Sequence, residues 1–212
     1  MATDEALLDQ VATSGGAVLR LYRWDPPTLS IGRNQGPDGI VQEGIPWVRR
    51  PTGGTAVWHE HEVTYAVAAP IAVFGSLRNA YCEIHTRLAT ALRSLGVDGV
   101  IAPTPANRPP ARPVACFATA VGGEILVAGR KLVGSAQVRR GRAFLQHGSI
   151  LLAGSQQKVT AVTQATSLAA VLGRRVTFDE ITTAIVENWG EHLKPSNRQT
   201  VPLSAVASIA AR

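Results

Sequence analysis

The sequence predicts a mixed α/β domain built mainly on antiparallel strands. Two observations carry this. Between residues 17 and 152 the chain is mostly short segments of alternating apolar and polar residues, broken by Gly and Pro, which is the pattern of half-buried strands. Helical periodicity is confined to a few stretches, of which one is strong. At 212 residues, 45% hydrophobic and 17% charged, the chain can bury a core, and disorder, collagen and coiled coil are excluded. No internal repeat, low-complexity tract or charged linker interrupts it, so residues 1–212 are read as a single domain.

In order, Asp4 to Val11 reads as a short helix closed by the Ser14-Gly15-Gly16 stop. AVLRLYRW (17–24), TLSIG, PWVRR and EVTYAVA (62–68) read as strands. Ser76 to Leu95 is the clearest helix, with Leu77, Tyr81, Ile84, Leu88, Leu92 and Leu95 at steps of three and four, Ser76 as cap and Gly96 as stop. A loop with Pro103, Pro105, Pro109, Pro110 and Pro113 follows and leads to Cys116. CFATAV and EILVAG flank a predicted turn at Gly122-Gly123, and KLVGSAQV and AFLQHGSILL flank another at Gly141. Ser167 to Leu172 and Phe178 to Trp189 read as helices, the second capped by Thr177.

The net charge of +6 favours acidic partners: nucleic acid, an anionic cofactor or an acidic carrier protein. With 5% aromatics, none interleaved with the basic clusters, a base-stacking surface is poorly supported, so no nucleic acid is expected. There is no apolar run of 18 residues and no signal-peptide pattern in MATDEALLDQ, so no membrane is expected and the location is read as cytoplasmic. Cys82 and Cys116 lack CxxC spacing and are read as reduced thiols, each free to be core filler or nucleophile. Cys82, beside the helical stripe, is read as a partly buried, inert thiol.

Three constellations stand out. In Arg49-Arg50-Pro51-Thr52-Gly53-Gly54, two arginines before a Gly-Gly turn suit an anionic ligand, or equally a strand end with solvated arginines. Lys131, among small residues Gly134, Ser135 and Ala136, is either a pocket amine or an ordinary surface lysine. His59 and His61, at alternate positions of a strand, would share one face; only Glu60, Glu62 and the distant His147 offer further metal ligands, so no metal is expected and the histidines are read as held by local hydrogen bonds or lining a ligand pocket.

RRPTGGTAVWH, EVTYAV and CFATAVGGEILVAGRKLVGSAQVRRGRAFLQHGSILL together resemble the biotin and lipoate protein ligase superfamily, and within it the octanoyltransferases with a cysteine in an "ACF" segment. The resemblance runs from Ala2 to about Leu152 and weakly to Trp189. It implies a large, mainly antiparallel sheet, a smaller second sheet and flanking helices. It also implies that Arg50, Thr52, Gly53, Gly54 and His59 wall an acyl site, with Gly134, Ser135, Ala136, His147 and Gly148 lining the rest. By the same resemblance Lys131 holds the acyl carbonyl and Cys116 is the nucleophile. Thiolate attacks thioesters well, and a nearby ammonium favours the anion. The segment after Cys116 departs from that branch in lacking a D-x-P-S-W/Y stretch.

The activity implied is transfer of octanoyl from octanoyl-acyl carrier protein to Cys116, then to the lysine of a lipoyl domain such as the glycine-cleavage H protein, without a cofactor. The alternatives are an ATP- and Mg²⁺-dependent lipoate-protein ligase, an octanoyl amidotransferase between lipoyl domains, and a non-catalytic acyl or carrier binder. The absence of a GRGRxGR-like segment argues against a biotin ligase.

Overall fold

Alternating apolar residues close into a six-stranded sheet wrapped by helices on both faces. The computed structural model describes residues 1–102, 123–159 and 164–189. The strands are β1 (Val18–Tyr22), β2 (Thr28–Ile31), β3 (Trp47–Arg49), β4 (Val57–His59), β5 (Glu62–Pro70), β6 (Val100–Ile101), β7 (Ile125–Val127), β8 (Arg130–Arg140) and β9 (Ala143–Leu151). The helices are α1 (Ala2–Ser14), α2 (Leu77–Ser94), α3 (Leu168–Leu172) and α4 (Phe178–Glu187). The large sheet runs β1-β5-β9-β8-β7-β6, antiparallel throughout. A second sheet runs β3-β2-β4.

Alternation in β5 explains the layering. Val63, Tyr65, Val67 and Ala69 join the main core with Ile84, Leu88 and Leu92 of α2 and Ile181 and Ile185 of α4. Ala66 and Ala68 face the other way and pack with Leu8 and Val11 of α1. A strand covered on both faces cannot carry the polar face of an edge strand, and eight of its nine residues are buried. The small sheet has its own core of Leu29, Ile31, Ala56 and Trp58, and Val57 meets Leu151 of β9.

Several sequence expectations are refined. Helix α1 is longer than Asp4 to Val11, because Thr13 and Ser14 donate their hydroxyls to the Asp9 and Gln10 carbonyls before Gly15 turns out at φ 73°. Strands β2 and β3 pair in parallel, not antiparallel; the connection from 32 to 46 is long enough for a crossover. The β7–β8 turn falls at Ala128-Gly129, where φ is 48° and 74°, the left-handed pair that fits the twist of a two-residue hairpin. The predicted CFATAV strand and Cys116 lie outside the described residues. Cys82 is exposed rather than partly buried, since it faces away from the α2 core stripe. Ser76 and Thr177 cap their helices by accepting a backbone N–H, as their positions predict, and Ser167 does the same for α3.

Candidate active site

Where β8 and β9 pair, Gly134 faces Ser149, Ser135 faces Gly148 and Ala136 faces His147. Small side chains here leave a hollow with about 330 Å³ of space open to solvent, bounded also by Arg50, Val57, His59 and Thr64. The hollow therefore sits between the two sheets. Seven residues expected to wall an acyl site meet here: Arg50, His59, Gly134, Ser135, Ala136, His147 and Gly148.

The polar residues of this wall are turned into the protein. His147 holds Thr52 Oγ1 at 2.6 Å through Nε2 and reaches Asp4 Oδ2 at 3.3 Å through Nδ1. Asp4 also accepts from Arg20 at 2.6 Å and Tyr22 at 2.7 Å. Burial raises the Asp4 carboxyl, but the hydrogen bonds from His147 and Tyr22 and the Arg20 charge outweigh it and hold it below its usual range. As an acceptor only, ionised Asp4 accepts a hydrogen bond from His147 Nδ1–H, so Nε2 accepts from the Thr52 hydroxyl. Burial lowers His147, keeping it neutral, and Asp4 only partly offsets this.

A second hydroxyl, imidazole and carboxylate chain runs beside it. His59 Nε2 meets Ser30 Oγ at 2.6 Å and Nδ1 meets Glu62 Oε1 at 2.7 Å. Thr64 and Ser149 donate to the same oxygen, and Trp24 stacks on the His59 ring at 4.4 Å. Arg50 donates to Ser30 Oγ and to the carbonyls of Ser30, Gly53 and Thr55. The guanidinium thus shapes the Gly-Gly turn, while Arg49 grips the carbonyls of Gly32, Arg33 and Gln35. With their nitrogens and oxygens turned inward, the walls show the hollow an almost wholly carbon surface.

A third network lies on the α2 side. Gln146 donates to the Tyr65 hydroxyl at 3.1 Å, Tyr65 meets Ser135 Oγ at 2.6 Å, and Ser135 meets His85 Nε2 at 2.9 Å. His85 Nδ1 meets the Tyr81 carbonyl at 2.8 Å, so Nδ1 carries the proton and Nε2 accepts from Ser135. Burial pushes His85 down to about 4 and Tyr65 up to about 12, which makes both neutral.

Lys131 is buried, with Nζ 2.6 Å from Glu124 Oε1; it is not the surface lysine of the plainer reading. It lies three residues along β8 from Gly134, and it does not line the hollow itself. Thr52, Gly53 and Gly54 do not themselves bound the hollow: Thr52 supports His147, the Gly53 carbonyl accepts from Arg50, and Gly54 lies so close to Gly32 that a Cβ on Gly32 would be 2.0 Å from its carbonyl oxygen. His61 is exposed, because β4 ends at His59 and the chain reverses before β5; the expected shared face with His59 is not formed. Among the described residues no group of three His, Cys, Asp or Glu converges as metal ligands would.

The family model of the lipoyl protein ligase A/B catalytic domain matches residues 1–190. The chain belongs to this family. Its relatives include the octanoyltransferase LipM of Carboxydothermus hydrogenoformans, 40% identical over 79% of this chain and 65% of that protein. Another is the octanoyltransferase LipM of Kyrpidia tusciae, 38% identical over 91% of this chain and 82% of that protein. The chain thus spans about two thirds of the first relative's length. Among solved structures, lipoate-protein ligase A bound with ATP shares the fold with TM-score 0.73 at 23% identity, covering 91% of this chain and 78% of that one. The bipartite lipoate protein ligase of Thermoplasma acidophilum does so with TM-score 0.66 at 21% identity, covering 91% and 77%.

Sequence reasoning missed Asp4, Ser30, Glu62, Tyr65, His85, Glu124 and Gln146 as partners. Ser30, Glu62 and Glu124 left a signal, a polar residue in or beside an apolar strand, where burial demands a partner. His85 left a fainter one, a histidine next to Ile84 of the α2 stripe.

Proposed function

We propose that this chain is an octanoyltransferase of lipoate assembly, taking octanoyl from octanoyl-acyl carrier protein and passing it to the lysine of a lipoyl domain. The observation that carries the reading is the hollow between the sheets, whose lining is almost wholly carbon. A pocket lined almost wholly by carbon selects an uncharged apolar chain, at about 0.8 kcal/mol per buried methylene. The names of the relatives supply the acyl group, and the net charge of +6 suits an acidic carrier.

In this reading the Cys116 thiolate attacks the donor thioester. The new carbon–sulfur bond replaces the one to the carrier thiol, which leaves and takes up a proton. The amine of the acceptor lysine then attacks the Cys116 thioester, forming the amide and releasing the thiol. Lys131 stabilises the developing oxyanion in both steps.

Intact-protein mass spectrometry after mixing with octanoyl-acyl carrier protein, without ATP, tests this. The expected result is one octanoyl adduct, absent from Cys116→Ser and discharged by an apo lipoyl domain. No adduct, together with modification of the domain when octanoate, ATP and Mg²⁺ are supplied, would identify a ligase instead. Loading from an octanoylated lipoyl domain and not from the carrier would identify an amidotransferase.

A further inference from the structure

We propose that Glu124 is a positioning residue for Lys131, holding the buried amine as an ammonium and fixing the place of its Nζ. The proposal rests on the reading above, in which Lys131 serves the acyl carbonyl. The geometry is specific. Lys131 and Glu124 are 0% and 2% exposed at their side chains, and their charged atoms are 2.6 Å apart. Glu124 immediately precedes β7 and Lys131 is the second residue of β8, so the hairpin between them carries both halves of the pair. The Lys131 backbone is pinned as well: its N–H donates to the Gln164 carbonyl at 2.7 Å and its carbonyl accepts from Thr166 at 2.9 Å. A lysine whose backbone and ammonium are both held presents its charge at one point.

An ammonium removed from water sheds its proton unless a counterion compensates. Among the described residues, the other titratable groups facing this pair do not compete for the role. His85 of α2 feels the Lys131 charge and is neutral, since burial pushes it down to about 4. Tyr65 of β5 feels Glu124 and is pushed up to about 12 by burial, so it too is neutral. Arg130, the adjacent cation on β8, donates to the Ala165 carbonyl. Among the described residues Glu124 is therefore the carboxylate placed to keep Lys131 a hydrogen-bond donor, which an oxyanion requires and a free amine supplies poorly.

The full chain contains three lysines, Lys131, Lys158 and Lys194. Labelling lysine Cε with ¹³C gives three methylene signals, and Lys131→Arg identifies one of them. In the wild type the Lys131 signal is expected to stay in its ammonium position at least until Lys158 and Lys194 titrate. In Glu124→Gln it is expected to titrate about one to three pH units lower, with Glu124→Asp restoring most of the difference. The alkaline limb of octanoyl transfer should move by the same amount.

A wild-type Lys131 that is neutral at pH 7, or a midpoint unchanged in a folded Glu124→Gln, overturns the proposal. A shifted signal with an unshifted rate profile overturns its part in the reaction. Where the Gln variant does not fold, the wild-type signal and Glu124→Asp decide. A shifted midpoint in proteins that take no octanoyl group leaves the pair standing and removes the acyl-transfer reading.

Discussion

At Gly148 the large sheet has no room for a side chain. A Cβ there would lie 2.4 Å from the Gly134 carbonyl oxygen, 2.5 Å from Ser135 Oγ and 2.8 Å from Tyr65 Cε1. The first of these is backbone in a paired strand and cannot swing away, so Gly148→Ala should cost about 1–3 kcal/mol, read as a lower urea midpoint. Gly53 is the contrast, with nothing within 4 Å of a Cβ and no positive φ. Gly53→Ala should leave stability within about 0.5 kcal/mol, and if the Gly-Gly turn meets the acyl group, as the resemblance implies, it should slow octanoyl loading about tenfold. Unchanged loading in that folded variant would show that substrate does not pass over Gly53. The two glycines look alike in sequence and differ in what surrounds them.

Helix α1 is tied to the sheet by two sets of charges of unequal weight. On the surface Arg140 pairs with Glu5 and Asp9. Such exposed pairs contribute about 0–1 kcal/mol, so Glu5→Ala and Asp9→Ala should barely move the melting temperature. Asp4 is fully buried and accepts from Arg20 and Tyr22 of β1 and His147 of β9. Asp4→Ala strands those donors and should cost about 2–4 kcal/mol, so calorimetry on the three variants should rank Asp4→Ala far below the others. Equal losses would mean that α1 is held by its apolar contacts with Ala66, Ala68 and Leu145. This is also where the sequence stops being legible. The alternation of β5, the α2 stripe and the caps Ser76, Ser167 and Thr177 are local patterns, set by residues two to four apart, and they can be read directly. The partners Asp4 and His147 are 143 residues apart, and Ser135 and His85 are 50 apart. Periodicity does not encode such pairs; only the strand order of the folded sheet brings them together.

Across the whole molecule, buried neutral imidazoles make stability a function of pH. Burial takes His85 from its ordinary 6.5 to about 4 and lowers His147 as well. Between those values the unfolded chain binds a proton at His85 that the folded chain refuses. Stability is therefore complete above about pH 6.5 and declines as pH falls towards about 4, by roughly 3 kcal/mol for His85. Asp4, held below its usual range, adds a loss at still lower pH, as acid titrates it and its donors lose their anion. Urea midpoints taken from pH 7.5 to 4 should fall with acid, and His85→Gln should lessen the fall because a glutamine does not titrate. A flat profile, or an unchanged slope in a folded His85→Gln, would mean that His85 titrates as freely as in the unfolded chain. Burial would then not hold it neutral in the folded protein.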